Sequence, residues 1–129
     1  MLTIAPIPKE LAMIEAKKYP TLTGNGFDYT KFTSRYLTSA ELHSDRVSLW
    51  CDSGPLEIAY VIQFASENRI SPTITSYGVK HLVERWSRER SNYKYICNGC
   101  AILGLSLAGY EVIVFDDSPN CFFRKRRRI

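Results

Sequence analysis

The residues best suited to chemistry sit in Cys97-Asn98-Gly99-Cys100, a CxxC spacing. The other soft donors of the chain are Cys51, Cys121, His43 and His81. A structural zinc site needs a second ligand pair at comparable spacing, because one ion takes four tetrahedral ligands. None of the remaining donors forms such a pair. A set made of His81, Cys97, Cys100 and Cys121 is the one metal arrangement left open, and no metal or other cofactor is expected. Thiol redox chemistry would use the helix dipole to lower a thiol pKa. The thioredoxin pattern places its CxxC after a buried strand in a βαβ unit. Here Ser91 to Ile96 is only a short link after a helix. The expectation is free, packed thiols in a reducing cytosol.

Acid–base chemistry is no better supported. His81 and Glu84 share a helix face and could act as a base with an orienting carboxylate. No serine or cysteine in an elbow motif accompanies them. Asp116-Asp117 has the look of a metal-nuclease carboxylate pair. It stands before Ser118-Pro119-Asn120, though, where turn chemistry explains it. No catalytic residue is expected, and the pattern favours a binding protein over an enzyme.

The elements that must position these groups can be read from periodicity. Pro6 and Pro8 open a helix over 8–18, with Ala12, Leu11 and Ile14 expected to face inward, and Pro20 stops it. Thr23 to Gly26 reads as a loop. The aromatics Phe27, Tyr29, Phe32 and Tyr36 leave the period ambiguous, with a helix over 29–37 favoured. A short turn from Ser39 to His43 follows. Arg46 to Cys51 alternates and reads as a strand. Asp52-Ser53-Gly54-Pro55 starts a largely buried helix to about Asn68. Thr75 or Ser76 caps another to Arg88, with Val79, Leu82, Val83 and Trp86 as its apolar stripe. Lys80, Glu84, Arg85, Arg88 and Glu89 are expected on its solvated face, with Lys80 and Glu84 paired at i,i+4. Asn98 is the expected N-cap of a charge-free helix to Gly109, apolar all round and so central to the core. Two strands, 111–115 and 121–124, then form a hairpin. The fold class is α+β: a helix-rich single domain over 1–123, with a small antiparallel sheet that includes the C-terminal β-hairpin.

Charge is distributed unevenly. Seventeen basic residues exceed thirteen acidic ones, but Arg124, Lys125, Arg126, Arg127 and Arg128 supply five of them, so the rest of the chain carries 12 against 13. The positive field belongs to a basic C-terminal tail, 124–129. That tail, with Arg85, Arg88, Arg90 and Lys94 as neighbours, suits non-specific binding of DNA or RNA phosphates. If all five charges contact phosphates, log K should fall against log salt with a slope of about −4 to −5. A helix-turn-helix reading of 76–88 and 98–109 fails, because the connection is too long and the second helix offers leucines to the groove. No apolar run is long enough to span a bilayer, and the first residues lack the basic and apolar regions of a secretion signal. A cytoplasmic protein is expected.

Four segments carry a resemblance. Ser76-Tyr77, Lys80-His81 and Glu84 are followed by Tyr95 with Asn98-Gly99, then Ala108-Gly109-Tyr110, then Pro119-Asn120-Cys121-Phe122-Phe123. This order is similar to small uncharacterised proteins of bacteriophages and other bacterial mobile elements, over the C-terminal part of the chain only. The pattern commonly has alanine where this chain has Cys100, so the resemblance implies no metal or redox role for the cysteine pair. It implies a genetic setting: a non-enzymatic phage or mobile-element accessory protein in a bacterial host cell. Its partner would be a host protein or ribonucleoprotein complex, and a counter-defence, anti-CRISPR-type inhibitor fits that setting.

Overall fold

The computed structural model describes residues 3–28, 39–90, 92–115 and 118–125. Within them the order is α1 (Lys9–Ala16), β1 (Leu22–Thr23), β2 (Gly26–Phe27), α2 (Ser39–Val47), α3 (Gly54–Glu67), α4 (Ser76–Arg90), α5 (Asn98–Leu107), β3 (Tyr110–Val114) and β4 (Cys121–Lys125). The class is α+β, helix-rich, with two separate antiparallel hairpins, β1–β2 and β3–β4. The expected helix over 29–37 lies outside the described residues.

The charge-free segment is central, as its composition requires. From Asn98 to Leu105 every residue of α5 is buried, and α5 packs against α1, α3, α4, β2 and β3. Its approach to α3 is close enough to demand glycine: a Cβ on Gly104 would lie 2.5 Å from Val61. Around this axis Ile58, Val61, Val79, Val83, Ile96, Ile102, Leu103 and Phe123 make one continuous core. Gly109 ends the helix with a φ of 100°, the left-handed conformation favoured after a helix. The C-terminal hairpin then forms in the register Val112↔Phe123 and Glu111↔Arg124, and β4 runs one residue past the expected end, to Lys125.

Three local expectations are corrected. Arg46 to Cys51 is not a strand. Arg46 and Val47 end α2, and the amides of Leu49, Trp50 and Cys51 fold back onto the carbonyls of Arg46 and Val47. The residue that reads as a strand start is instead a clamp, because Arg46 donates to the carbonyls of Ala16, Tyr19 and Leu22. Those carbonyls include the C-terminal end of α1, where a cation is favoured. On α1 itself, Ala12 is buried but Leu11 and Ile14 are exposed; Glu15 and Ala16 face inward instead. Glu15 is held there by Ser106, whose Oγ donates to Oε2 at 2.5 Å. Finally, Lys80 and Glu84 are not on a solvated face: they are 8% and 5% exposed.

Candidate functional site

The buried Lys80–Glu84 pair defines the site. The chain from Lys94 to Ile96 runs along α4 because two α4 side chains accept its amides. Ser87 Oγ takes the Lys94 N–H at 2.9 Å, and Glu84 Oε2 takes the Ile96 N–H at 3.1 Å. The same Glu84 oxygen receives Lys80 Nζ at 3.0 Å, while Oε1 faces His81 Nδ1 at 3.2 Å. Burial alone would raise the Glu84 pKa, but the Ile96 amide and the Lys80 ammonium outweigh it and hold the carboxyl below its ordinary value. Burial likewise acts to lower the Lys80 pKa, and Glu84 reverses the sign, holding it above the ordinary value. The ammonium is also enclosed by aromatic faces, 4.8 Å from the Tyr95 ring and 5.6 Å from that of Tyr77.

The start of α5 meets this seam. Asn98 is not the N-cap: Cys97 is, its Sγ accepting from the Cys100 amide. The tip of the β1–β2 hairpin takes a share of the capping work, since the Gly24 carbonyl accepts the Gly99 N–H at 3.0 Å. This approach requires Gly99, where a Cβ would stand 2.1 Å from the Thr23 oxygen. Released from capping, the Asn98 side chain donates through Nδ2 to the Asn25 carbonyl at 3.0 Å and to Asn120 Oδ1 at 2.8 Å. The Asn25 carbonyl can only accept, which fixes the orientation of the amide. Among the described residues, Asn98 Oδ1 is left buried without a protein partner. Ser76 Oγ accepts the Cys121 amide at 3.2 Å and ties β4 to the start of α4.

Tyr77, Lys80, Tyr95, Asn98, Pro119 and Asn120 thereby line one cavity of about 460 Å³, closed on its other side by Gly24 and Asn25. Residues from each of the segments Ser76–Glu84, Tyr95–Gly99 and Pro119–Phe123, far apart in the chain, thus converge on a single place. Tyr77, Tyr93 and Tyr95 are 52%, 50% and 56% exposed along this edge. The Arg88 guanidinium lies over the Tyr93 ring at 5.3 Å, and Tyr77 packs edge-on against His81 at 4.5 Å. Tyr77, His81, Arg85 and Arg88 follow one another on the outer stripe of α4 at i, i+4, i+8 and i+11.

A second cavity, of about 450 Å³, lies on the other side of Tyr95 and is lined by Glu57, Cys97, Cys51, Asp45 and Asp52. Glu57, in the first turn of α3, is buried; its Oε1 accepts the Cys97 amide at 2.7 Å and its Oε2 the Ser53 hydroxyl at 2.6 Å. Ser53, at the N-cap position of α3, gives its hydroxyl to Glu57 and makes no side-chain cap bond. Cys100 is pushed well above the usual thiol range by its hydrogen bonding with Cys97, by burial and by the charge of Glu57. Cys121 is pushed up to about 12 by burial, partly opposed by Ser76.

The residues singled out by sequence are distributed unevenly around these cavities. Arg85 and Arg88 are exposed on α4. Arg124 is committed to Glu111 across the hairpin. Lys125 is exposed and lines a cavity with Arg69 and Glu67, the partner of Arg90. Arg126, Arg127 and Arg128 lie outside the described residues, as do Asp116 and Asp117. His81 and Cys121 stand with Glu84 and Ser76 respectively, and do not join Cys97 and Cys100. Among the described residues the one group of three close metal-type donors is Glu57, Cys97 and Cys100. Sequence reasoning misses Glu57, although a lone charge in the apolar start of α3 is a usable signal. It misses Asn120 and Tyr95 as site residues because nothing in their local sequence marks a cavity.

No helix among the described residues is long and apolar enough to cross a membrane. Compared with protein-family models, with curated proteins and with solved structures, the chain matches none.

Proposed function

We propose that this protein binds single-stranded nucleic acid along the outer edge of α4 and the adjoining segment 92–97. The observation that carries the reading is the interleaving of Tyr77, Tyr93 and Tyr95, each about half exposed, with the cations Lys80 and Arg88. Singly exposed aromatics are ordinary. Three along α4 and the adjoining segment, two of them, Tyr77 and Tyr95, lining the first cavity, make a surface on which successive bases stack. Every base has a π-face, so such a surface needs no sequence preference. Lys80 is already neutralised by Glu84, which leaves Arg85, Arg88, Lys125 and the basic residues beyond it to meet phosphates.

Fluorescence anisotropy with labelled single strands and duplexes of mixed sequence tests this. Single strands should bind more tightly. Tyr77→Ala or Tyr95→Ala should each weaken binding by about 5- to 150-fold, the equivalent of about 1–3 kcal/mol for one stacked base. Neutralising the tail should make the salt slope shallower by about 0.7 for each phosphate that the tail no longer meets. Equal affinity of the tyrosine variants and wild type would reject stacking and leave only the electrostatics of the tail.

The resemblance supplies a wider setting for the same surface: a phage or mobile-element accessory protein directed at a host nucleic-acid-handling complex, a CRISPR effector included. Expression in a CRISPR-immune host should then restore phage plating, and the tyrosine variants should not. Unchanged plating with the wild-type protein counts against the counter-defence role.

A further inference from the structure

The second cavity carries chemistry that the binding edge does not use. One carboxylate oxygen of Glu57 and the Sγ atoms of Cys97 and Cys100 lie within 4.8 Å of one another. They come from two elements with little freedom to part. Gly54, at the start of α3, is pressed so closely on the preceding turn that a Cβ there would stand 2.2 Å from the Ser48 oxygen. Cys97 and Cys100 are separated by the first turn of α5, which the Gly24 carbonyl holds through Gly99.

The surroundings resemble those of a ligand set in several respects. Glu57 is a buried carboxylate whose two partners, the Cys97 amide and the Ser53 hydroxyl, are neutral; among the described residues no Lys or Arg pairs with it. Buried charge of this kind is commonly paired with a cation or a metal. The Cys97 sulfur accepts the Cys100 N–H at 3.3 Å, the kind of outer contact that orients a metal-bound thiolate. Glu57 and Cys97 both line the cavity shared with Cys51 and Asp52, so a fourth ligand can come from solvent or from that wall. Cys100 is fully buried, and its S–H points at the Gly54 carbonyl at 3.6 Å. Binding an ion there replaces this proton.

We infer that Glu57, Cys97 and Cys100 form a three-ligand site for a thiophilic divalent ion of the zinc class, with a fourth position facing the cavity. Two thiolates and one carboxylate favour zinc over magnesium or calcium, which prefer all-oxygen shells. Three protein ligands and an open position are also what zinc accepts. Both cysteines release their protons to solvent on binding, so affinity rises with pH. The site differs from the His81, Cys97, Cys100, Cys121 set, because it recruits Glu57 and leaves His81 and Cys121 aside.

The full chain, stripped with chelator, is titrated with zinc and with cobalt, and bound metal is counted by mass spectrometry. The expected result is one ion per chain. Cobalt should produce thiolate-to-metal charge-transfer absorption together with the visible bands of four-coordinate geometry. Cys97→Ser and Cys100→Ser should abolish these bands. Glu57→Gln should weaken binding at least about tenfold. His81→Ala and Cys121→Ser should leave stoichiometry and spectrum unchanged. No bound ion in the wild-type titration overturns the inference without recourse to any variant. A full spectrum surviving in Cys97→Ser or Cys100→Ser, or a spectrum lost in His81→Ala, overturns it as well.

Discussion

Lys80–Glu84 on α4 and Arg124–Glu111 on the C-terminal hairpin are the same type of ion pair in opposite surroundings. Each joins one cation to one carboxylate of an adjacent turn or strand. Glu84, however, also accepts the Ile96 amide and faces His81, and both Lys80 and Glu84 are buried, Lys80 against the Tyr95 ring. Glu111 has Arg124 across an exposed pair of strands, with Arg124 Nε 2.8 Å from Oε1. The first pair organises the segment that carries Tyr93 and Tyr95, and through it one wall of the cavity. The second only neutralises a tail cation. Charge that shapes a site is charge that water cannot reach, since screening and side-chain entropy leave an exposed pair little to contribute.

The strongest way to break this contrast is Glu84→Ala. It strands a buried ammonium and an unpaired amide at once, for which the usual cost is about 3–5 kcal/mol. Thermal unfolding should move down by on the order of 10 °C in a chain of this length. A change of under about 2 °C would mean that the pair is solvated, and the contrast would collapse. Lys80→Met should cost less, because the remaining carboxylate keeps the Ile96 amide and can take up a proton. A double-mutant cycle on the two should give a coupling of about 0.5–3 kcal/mol.

Two glycines extend the comparison from charge to packing. Gly99, beside the seam, would place a Cβ 2.1 Å from the Thr23 oxygen, whereas Gly109, at the hairpin, would meet nothing within 4 Å among the described residues. Gly99→Ala must push the β1–β2 tip off α5, and overpacking of this kind costs about 1–3 kcal/mol. Gly109→Ala meets only the strain of its positive φ, about 1–2 kcal/mol for a residue with a side chain. Denaturant unfolding should rank Gly99→Ala as the more damaging. Only Gly99→Ala should also weaken oligonucleotide binding, because it alone disturbs Asn25 and Asn98. The reverse ranking would mean that the hairpin tip does not support the site.

These cases also show what the sequence makes legible. The helices α3, α4 and α5 and the β3–β4 hairpin follow from periodicity, Pro55, Gly109 and the turn residues, all signals confined to a few neighbouring positions. Lys80 and Glu84 are visible as an i,i+4 pair, but their burial depends on where Tyr95 and Ile96 pass, which is a tertiary fact. Arg46 misleads for the same reason: its guanidinium is satisfied by carbonyls 24 to 30 residues away. Asn98 is recognisable as a residue of helix starts. It loses the capping role to Cys97 because the hairpin tip and Asn120 claim its side chain. Of the site, the sequence offers the members from Ser76 to Glu84 and from Asn98 to Gly99, but not their meeting point.

A gentler probe of the buried pair is pH. The Glu84 carboxyl sits below its ordinary 4.5, so its contribution is complete above that value and is lost as pH falls through the lower, folded value. The Lys80 ammonium sits above its ordinary 10.5, so its contribution is complete below 10.5 and is lost as pH rises through the higher, folded value. Melting temperature should therefore be flat across the neutral range and fall at both ends. In Lys80→Met both falls should be shallower than in wild type. Parallel curves would show that other groups govern the pH response.

The smallest effect belongs to the hairpin. Glu111→Ala removes an exposed partner, and stability should change by no more than about 0.5 kcal/mol, less still at high salt. Its consequence should appear in binding instead. Arg124, held by Glu111 in the folded chain, becomes free to meet a phosphate, so affinity for single strands should rise and the salt slope should steepen by about 0.7. The pair then acts as a local brake on the positive tail, contributing to charge rather than to the fold. Were Glu111→Ala to destabilise the protein as much as Glu84→Ala, exposure would not be what separates the two pairs. Were it to leave the salt slope unchanged, Arg124 would have no part in the binding surface, and the cations on α4 would have to supply the phosphate contacts on this side of the molecule.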